Sequence, residues 1–154
     1  MDAAPPQPPA RPSDDRAASP APGPLRAVVT GASSGIGAAT VRRLRDQGWS
    51  VLAVARRGDR LAALAAETGC DVLVADLTDP GAAARVVAAA TAPGAVHALV
   101  NNAGGAFGAD SVEASDPADW ARMFEVNVLA TLRVTQALLP ALRASGRGDV
   151  LVLS

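Results

Sequence analysis

Along the chain, apolar residues fall into two kinds of run. Short, nearly continuous blocks occur at 25–30, 51–55, 72–75, 96–100 and 150–153, and between them apolar side chains recur every three or four residues. A strand covered on both faces reads as an unbroken apolar block, so these blocks predict the strands of a buried sheet. The periodic stretches predict helices. The first opens near Gly35 and runs to Gln47, with Ile36, Thr40, Val41 and Leu44 on one stripe and Arg42, Arg43 and Arg45 on the other side. The second covers about 59–68, with Leu61 and Leu64 inward and Gly69 as its stop. A third runs from an Asp79 N-cap, with Pro80 at the first helical position, to about Ala90. The fourth is long, starting at Asp116-Pro117 with Trp120, Met123, Phe124, Asn127, Thr131, Val134 and Leu138 on its core-facing side and Pro140 tightening its last turns. Alternating strands and helices of this kind predict an α/β fold with a parallel sheet and right-handed crossovers.

Composition sharpens the boundaries. Residues 1–24 hold eight of the twelve prolines and almost no large apolar side chain, so they read as a disordered Pro/Ala-rich tail, with the domain occupying 25–154. Two PxxP-like stretches in the tail fit a solvated spacer better than a recognition motif. A net charge of −1 leaves no electrostatic footprint for nucleic acid, and no apolar run approaches the roughly 20 residues of a membrane span. Cys70 stands alone, the amino terminus has no apolar signal-peptide core, and a cytoplasmic location is the default expectation. There is no Tyr, and all fourteen basic residues are Arg rather than Lys. A mechanism that needs a phenol or an amine cannot be completed within this chain.

The candidate chemistry lies at the carboxyl ends of the predicted strands, where open parallel sheets bind their ligands. Thr30-Gly31-Ala32-Ser33-Ser34-Gly35-Ile36-Gly37 joins the first strand to the first helix. Glycines permit close approach and positive φ, and the amides and dipole of a helix start attract a phosphate. No Lys follows, which excludes the phosphate loop of ATPases. The second strand ends at Arg56-Arg57, where an acidic residue would bind a ribose 2′-hydroxyl and an arginine suits a 2′-phosphate, so NADP is expected over NAD. The third ends at Asp76-Leu77, where the carboxylate either meets an adenine amino group or forms a local turn with Thr78. The fourth ends at Asn101-Asn102-Ala103-Gly104-Gly105, small and rich in amides, suited to lie against a ribose. Asn127 is a polar residue on the core-facing stripe of its helix, so its amide needs hydrogen-bond partners. His97 reads as a packed or edge histidine.

In this order, Thr30–Gly37, Asp76, Asn101–Gly104, the helix from Trp120 through Asn127 to Leu139-Pro140, and the strand 149–154 resemble the short-chain dehydrogenase/reductase family. The resemblance covers nearly all of 25–154. It implies a Rossmann-type, doubly wound parallel sheet and hydride transfer between NADP(H) and a small carbonyl or alcohol substrate. It also implies that Gly31, Ser33, Ser34, Gly35, Ile36 and Gly37 hold the pyrophosphate and nicotinamide ribose. By the same likeness Arg56 meets the 2′-phosphate, Asp76 and Leu77 the adenine, and Asn102, Ala103 and Gly104 the adenosine-side ribose. Asn127 corresponds to the asparagine of the family's Asn-Ser-Tyr-Lys set, which holds a water in a proton relay. A homo-oligomer is the expectation for the intact protein.

The chain departs from the family at its carboxyl end. By the family's spacing, the catalytic Ser falls one position past Ser154, and the Tyr-x-x-x-Lys helix further on. The leading expectation is therefore an inactive amino-terminal fragment of an NADP-dependent reductase, truncated after the fifth strand. The second is a non-catalytic NADP-binding module used for sensing or assembly. The third is an enzyme completed by a partner chain that supplies Tyr and Lys.

Overall fold

The structure, a computed structural model, describes residues 23–108 and 111–153. Nearly all of the expected tail lies outside the described residues, as does Ser154. Five parallel strands form one sheet: β1 (Arg26–Thr30), β2 (Ser50–Ala55), β3 (Asp71–Val74), β4 (Ala98–Asn101) and β5 (Asp149–Val152). Their order is β3-β2-β1-β4-β5. The chain builds outward from β1 through β2 to β3, then crosses to the far side of β1 for β4 and β5. The strand order therefore reverses between β1 and β4. The chain leaves them for helices on opposite faces of the sheet, α1 (Gly35–Asp46) after β1 and α5 (Ala130–Ala144) beyond β4, the arrangement that leaves a crevice at the strand ends.

Successive residues of β1 point to opposite faces of the sheet, which sorts the core into two layers. Val28 faces one layer with Leu52, Val54, Leu99, Val86, Val134 and Leu138, covered by α3 (Ala82–Thr91) and α5 (Ala130–Ala144). Val29 faces the other with Val51, Ala53, Val100, Val41, Leu61 and Leu64, covered by α1 (Gly35–Asp46) and α2 (Gly58–Thr68). β3 and β5 are the sheet edges and keep much of their apolar surface exposed, including Val74, Leu151 and Val152.

Arg26 is the exception in this apolar interior. It is only 3% exposed, yet it lies on the first residue of the central strand. Its Nε donates to the Ala90 carbonyl at 2.8 Å, Nη1 to Ser50 Oγ at 2.6 Å and to Asp71 Oδ2 at 2.8 Å, and Nη2 to the Ala89 carbonyl at 3.2 Å. One guanidinium thus ties β1, β2, β3 and the end of α3 together. His97 completes this end of the sheet. Its Nδ1 accepts the Arg26 backbone N–H at 3.0 Å, and its own backbone N–H donates to the Arg26 carbonyl at 2.8 Å. An imidazole nitrogen here does the work of a ladder carbonyl, one residue before β4 begins.

Three local expectations are corrected. α3 starts at Ala82, and its N-cap is Gly81 in the left-handed region rather than Asp79. Two successive turns, Asp79 N–H to the Asp76 carbonyl and Ala82 N–H to the Asp79 carbonyl, draw Asp79 and Pro80 out of the helix. On α1, Gly37, Ala38 and Val41 form the buried face, while Ile36 is 63% exposed. The long helix is not one continuous α-helix. It comprises α4 (Pro117–Phe124), a π-helical turn at Glu125–Leu129, and α5. The π turn adds a residue to the repeat and changes the phase of the apolar stripe. Ala130, Val134, Leu138 and Leu142 are buried on α5, whereas Trp120 and Phe124 on α4 stay 59% and 54% exposed. The start at Asp116 is as expected, with its carboxylate accepting the Ala118 N–H at 2.8 Å and Pro117 following.

Candidate functional site

The crevice is built from the ends of the two strands that flank it. β1 delivers Thr30 and β4 delivers Asn101 and Asn102, all at the switch point. The Thr30 hydroxyl accepts the backbone N–H groups of Asn102 and Ala103, both at 3.0 Å. The Asn102 amide donates back to the Thr30 carbonyl at 3.1 Å and the Gly31 carbonyl at 3.2 Å. Asn101 is buried and donates to Thr135 Oγ1 at 2.9 Å, which anchors β4 to α5. The two strand ends are therefore locked in register before any ligand is considered.

On this base the glycine turn folds tightly. A Cβ on Gly37 would lie 2.4 Å from the Gly31 carbonyl oxygen and 2.5 Å from Asn102 Nδ2, so helix α1 starts in direct contact with the turn. Gly35 differs. Its φ is +54°, and nothing lies within 4 Å of where its Cβ would be. Open space thus fronts the start of α1. Ser34 is the N-cap of that helix, but its side chain makes no capping hydrogen bond, and the first turn contains no acidic residue. The amides and the positive end of the helix dipole are therefore not neutralised by an acidic side chain of the first turn, the arrangement that favours phosphate groups.

A cleft of about 330 Å³ lies beside this turn. Of the expected cofactor-contact residues, Gly31, Ser33, Ser34, Arg56, Asp76, Leu77, Ala103 and Gly104 line it. Arg57, Thr78, Val126 and Ala130 join them without having been assigned a contact. Gly35, Ile36, Gly37, Asn102 and Asn127 do not line the cleft. Gly37 and Asn102 support the turn from behind, and Gly35 and Ile36 stand exposed at the start of α1.

The charged groups are arranged unequally. Asp76 Oδ1 accepts the Thr78 N–H at 3.0 Å and the Thr78 hydroxyl at 2.8 Å, so the local turn that was one of the two readings is present. Those two donors hold its carboxyl below the usual carboxylate range, with the positive charges of Arg56 and Arg122 adding to the effect against partial burial. Arg56 Nη1 lies 3.9 Å from Asp76 Oδ2. Arg57 turns the other way. Its Nε and Nη2 donate to Ser33 Oγ at 3.1 and 2.8 Å, and Nη2 also donates to Ser34 Oγ at 2.7 Å. The Arg-Arg pair was visible in the sequence. Which arginine meets the glycine turn depends on the path of the chain leaving β2.

Asn127 requires a correction. It is exposed, not buried on a core stripe, because it sits inside the π turn that changes the phase of the helix. Its amide nonetheless makes a reciprocal pair: Nδ2 donates to the Gly105 carbonyl and Oδ1 accepts the Gly105 N–H, both at 2.9 Å, which leaves one N–H and one lone pair. This side chain joins the helix to the loop after β4, where the Arg122 guanidinium also lies 3.9 Å from the centre of the Phe107 ring. Gly104 also passes close, since a Cβ there would lie 2.7 Å from Asn127 Oδ1.

The sheet order and the glycine turn at the switch point define a Rossmann-type fold with a crevice at the carboxyl ends of its strands. Residues 26–154 match the model of the short chain dehydrogenase family, and the chain belongs to that family. It is 54% identical over 128 residues to an uncharacterised oxidoreductase of Mycobacterium tuberculosis (strain H37Rv), covering 83% of this chain and 50% of that protein. It is 40% identical over 120 residues to a serine 3-dehydrogenase of Agrobacterium fabrum, covering 75% of this chain and 47% of that protein. Among solved structures, the closed form of serine dehydrogenase complexed with NADP+ superposes with a TM-score of 0.78 at 30% identity, over 83% of this chain and 53% of that one. The chain spans about half the length of the curated relatives it matches. Among the described residues, no helix is long and apolar enough to cross a membrane, and no His, Cys, Asp and Glu side chains cluster as a metal site.

Proposed function

We propose that this chain is the dinucleotide-binding part of an NADP-dependent oxidoreductase acting on a small carbonyl or alcohol. The observation that carries the reading is the uncapped start of α1, fronted by open space at Gly35 and flanked by the two arginines that follow β2. In this reading Gly31, Ser33, Ser34, Gly35, Ile36 and Gly37 hold the pyrophosphate and nicotinamide ribose. Arg56 meets the 2′-phosphate, Asp76 and Leu77 the adenine, and Asn102, Ala103 and Gly104 the adenosine-side ribose. Asp76 keeps Oδ2 available for this, because its turn with Thr78 uses Oδ1. The NADP+ held by the related serine dehydrogenase supports the choice of cofactor. When bound, the nicotinamide supplies hydride exchange with a carbonyl or alcohol carbon.

Proton transfer is a different matter. Asn127 is held by its two hydrogen bonds to Gly105 and keeps one amide N–H and one oxygen lone pair, so it fits a positioning role for a water; an amide does not titrate and cannot act as the acid or base. With no Tyr and no Lys, the chain contains neither the phenol nor the amine of the family's proton relay. The chain alone is accordingly an inactive binding part of a larger enzyme. The same absence supports a second reading, a non-catalytic NADP-binding module. Calorimetric titration with NADPH and NADH tests the binding claim common to both. NADPH is expected to bind more tightly than NADH, and Arg56→Asp to shift that ratio toward NADH. Equal affinity for the two cofactors, unmoved by Arg56→Asp, would remove the 2′-phosphate assignment. NADPH-dependent carbonyl reduction by the purified chain would refute its assignment as inactive.

A further inference from the structure

His97 is the only histidine in the chain, and histidine is the side chain whose ordinary titration falls between about pH 5 and 8. It is partly buried, one residue before β4 and beside the first residue of β1. Its Nδ1 accepts the Arg26 backbone N–H at 3.0 Å, and its own backbone N–H donates to the Arg26 carbonyl at 2.8 Å. Its carbonyl accepts the Asp149 N–H at 2.9 Å. The β1/β4 register begins at Ala27 opposite Ala98, so this ring adds a rung to the pairing of the two strands beyond its last backbone pair.

A rung made by an imidazole differs from one made by a carbonyl. A ring nitrogen accepts a hydrogen bond only while it carries no proton, so the ring here is neutral, with its proton on Nε2. A protonated imidazole has N–H on both nitrogens and accepts at neither. Protonation therefore sets two donors against each other and leaves the amide of a buried residue, Arg26, without an acceptor. The charged groups on the surrounding elements are few. Arg26 comes from β1, with its guanidinium turned to Ser50, Asp71 and the carbonyls of Ala89 and Ala90. Asp149 comes from the start of β5 and is exposed. The last turns of α3 and the segment after it, 86–96, hold no ionisable side chain.

We propose that His97 makes the joint between β1 and β4 sensitive to pH, so that protonating this one ring unfastens β4 from the Arg26 cluster at the amino end of the sheet. The device is independent of what the cleft holds. Its stabilising contribution is present while the ring is neutral and is lost as acid protonates it.

The test is urea unfolding of the full chain from about pH 8 to about pH 5.5, for the parent, His97→Asn, His97→Phe and Asp149→Asn. Asn offers a carbonyl oxygen close to the place of Nδ1 and does not titrate, whereas Phe keeps a ring with no acceptor. On acidification the folding equilibrium of the parent is expected to fall about tenfold or more relative to His97→Asn and to approach that of His97→Phe. Asp149→Asn is expected to keep the same loss. Nitrogen-15 spectra of the single imidazole should show Nδ1 unprotonated at about pH 8. Hydrogen exchange should show the Arg26 amide losing protection on acidification while the Asn102 amide, held by Thr30 at the other end of β1, keeps it. The spectra and the exchange are read on the parent, so they decide the matter if the variants do not fold. A proton on Nδ1 at about pH 8, an Arg26 amide equally protected at both ends of the range, or a stability difference between parent and His97→Asn that does not change with pH overturns the inference.

Discussion

Gly37→Ala is the sharpest perturbation of the turn, because the added methyl would meet backbone rather than a flexible side chain. It would lie 2.4 Å from the Gly31 carbonyl oxygen and 2.5 Å from Asn102 Nδ2. An ordinary contact is about 3.5 Å, so α1 and the turn must part by roughly 1 Å. The Gly31 carbonyl cannot yield alone, since it already accepts from Asn102, which also holds the Thr30 carbonyl. Overpacking costs about 1–3 kcal/mol, and each disrupted hydrogen bond about 1 kcal/mol. The helical preference of Ala over Gly returns somewhat under 1 kcal/mol. A net loss of about 3 kcal/mol is expected, read from urea unfolding. Gly35→Ala is the contrast. Its Cβ meets nothing within 4 Å, and only the positive φ is strained, at about 1–2 kcal/mol. That methyl projects into the space before α1, so it is expected to weaken NADPH binding more than its modest instability explains. A Gly37→Ala variant within about 0.5 kcal/mol of the parent would refute the close packing of turn and helix start.

Two further predictions concern charge. Arg26→Leu removes a buried guanidinium from two carbonyls, a hydroxyl and a carboxylate, and is expected to cost about 2–4 kcal/mol in urea unfolding. Asp71→Asn, at the exposed end of the same ion pair, should cost less than about 1 kcal/mol, and equal losses would refute the burial argument. Asp76 has a carboxyl held below its ordinary range by the Thr78 N–H and hydroxyl, so its ionised form stabilises the fold. That contribution is complete above the unfolded pKa, near about 4, and is lost as pH falls through the lower folded value. Asp76→Asn is thus expected to be less stable than the parent at neutral pH, with the gap closing below about pH 4; a gap that is constant with pH refutes the assignment.

Much of the architecture was legible because strands buried on both faces leave an unmistakable mark. Of the eight expected site residues that line the cleft, five, Gly31, Ser33, Ser34, Ala103 and Gly104, lie in the turn and loop at the β1/β4 switch point, at the strand ends where open parallel sheets form a crevice. What remained hidden depended on phase and direction. A single π turn reversed the reading of Trp120, Phe124 and Asn127, and nothing in a 3.6-residue periodicity announces one extra residue. Asp79-Pro80 had the composition of a helix start, but Asp76 and Thr78 upstream formed competing turns. The supporting role of Thr30 required knowing that β1 and β4 are neighbours, a long-range pairing with no local signal.

The two ends of the sheet show how one residue type is put to opposite uses. At the amino end, Arg26 has all of its charge matched inside the protein by carbonyls, a hydroxyl and Asp71, and it is closed to water. At the carboxyl end, Arg57 finds only hydroxyl oxygens, which accept its hydrogen bonds without cancelling its charge. A buried cation without such partners would be too costly to keep, so Arg26 is a fastener whose chemistry is complete. An exposed cation held by neutral acceptors costs little, and its field remains available to an incoming anion. The chain has no Lys to share these positions, so the difference between the two ends lies in what each guanidinium meets.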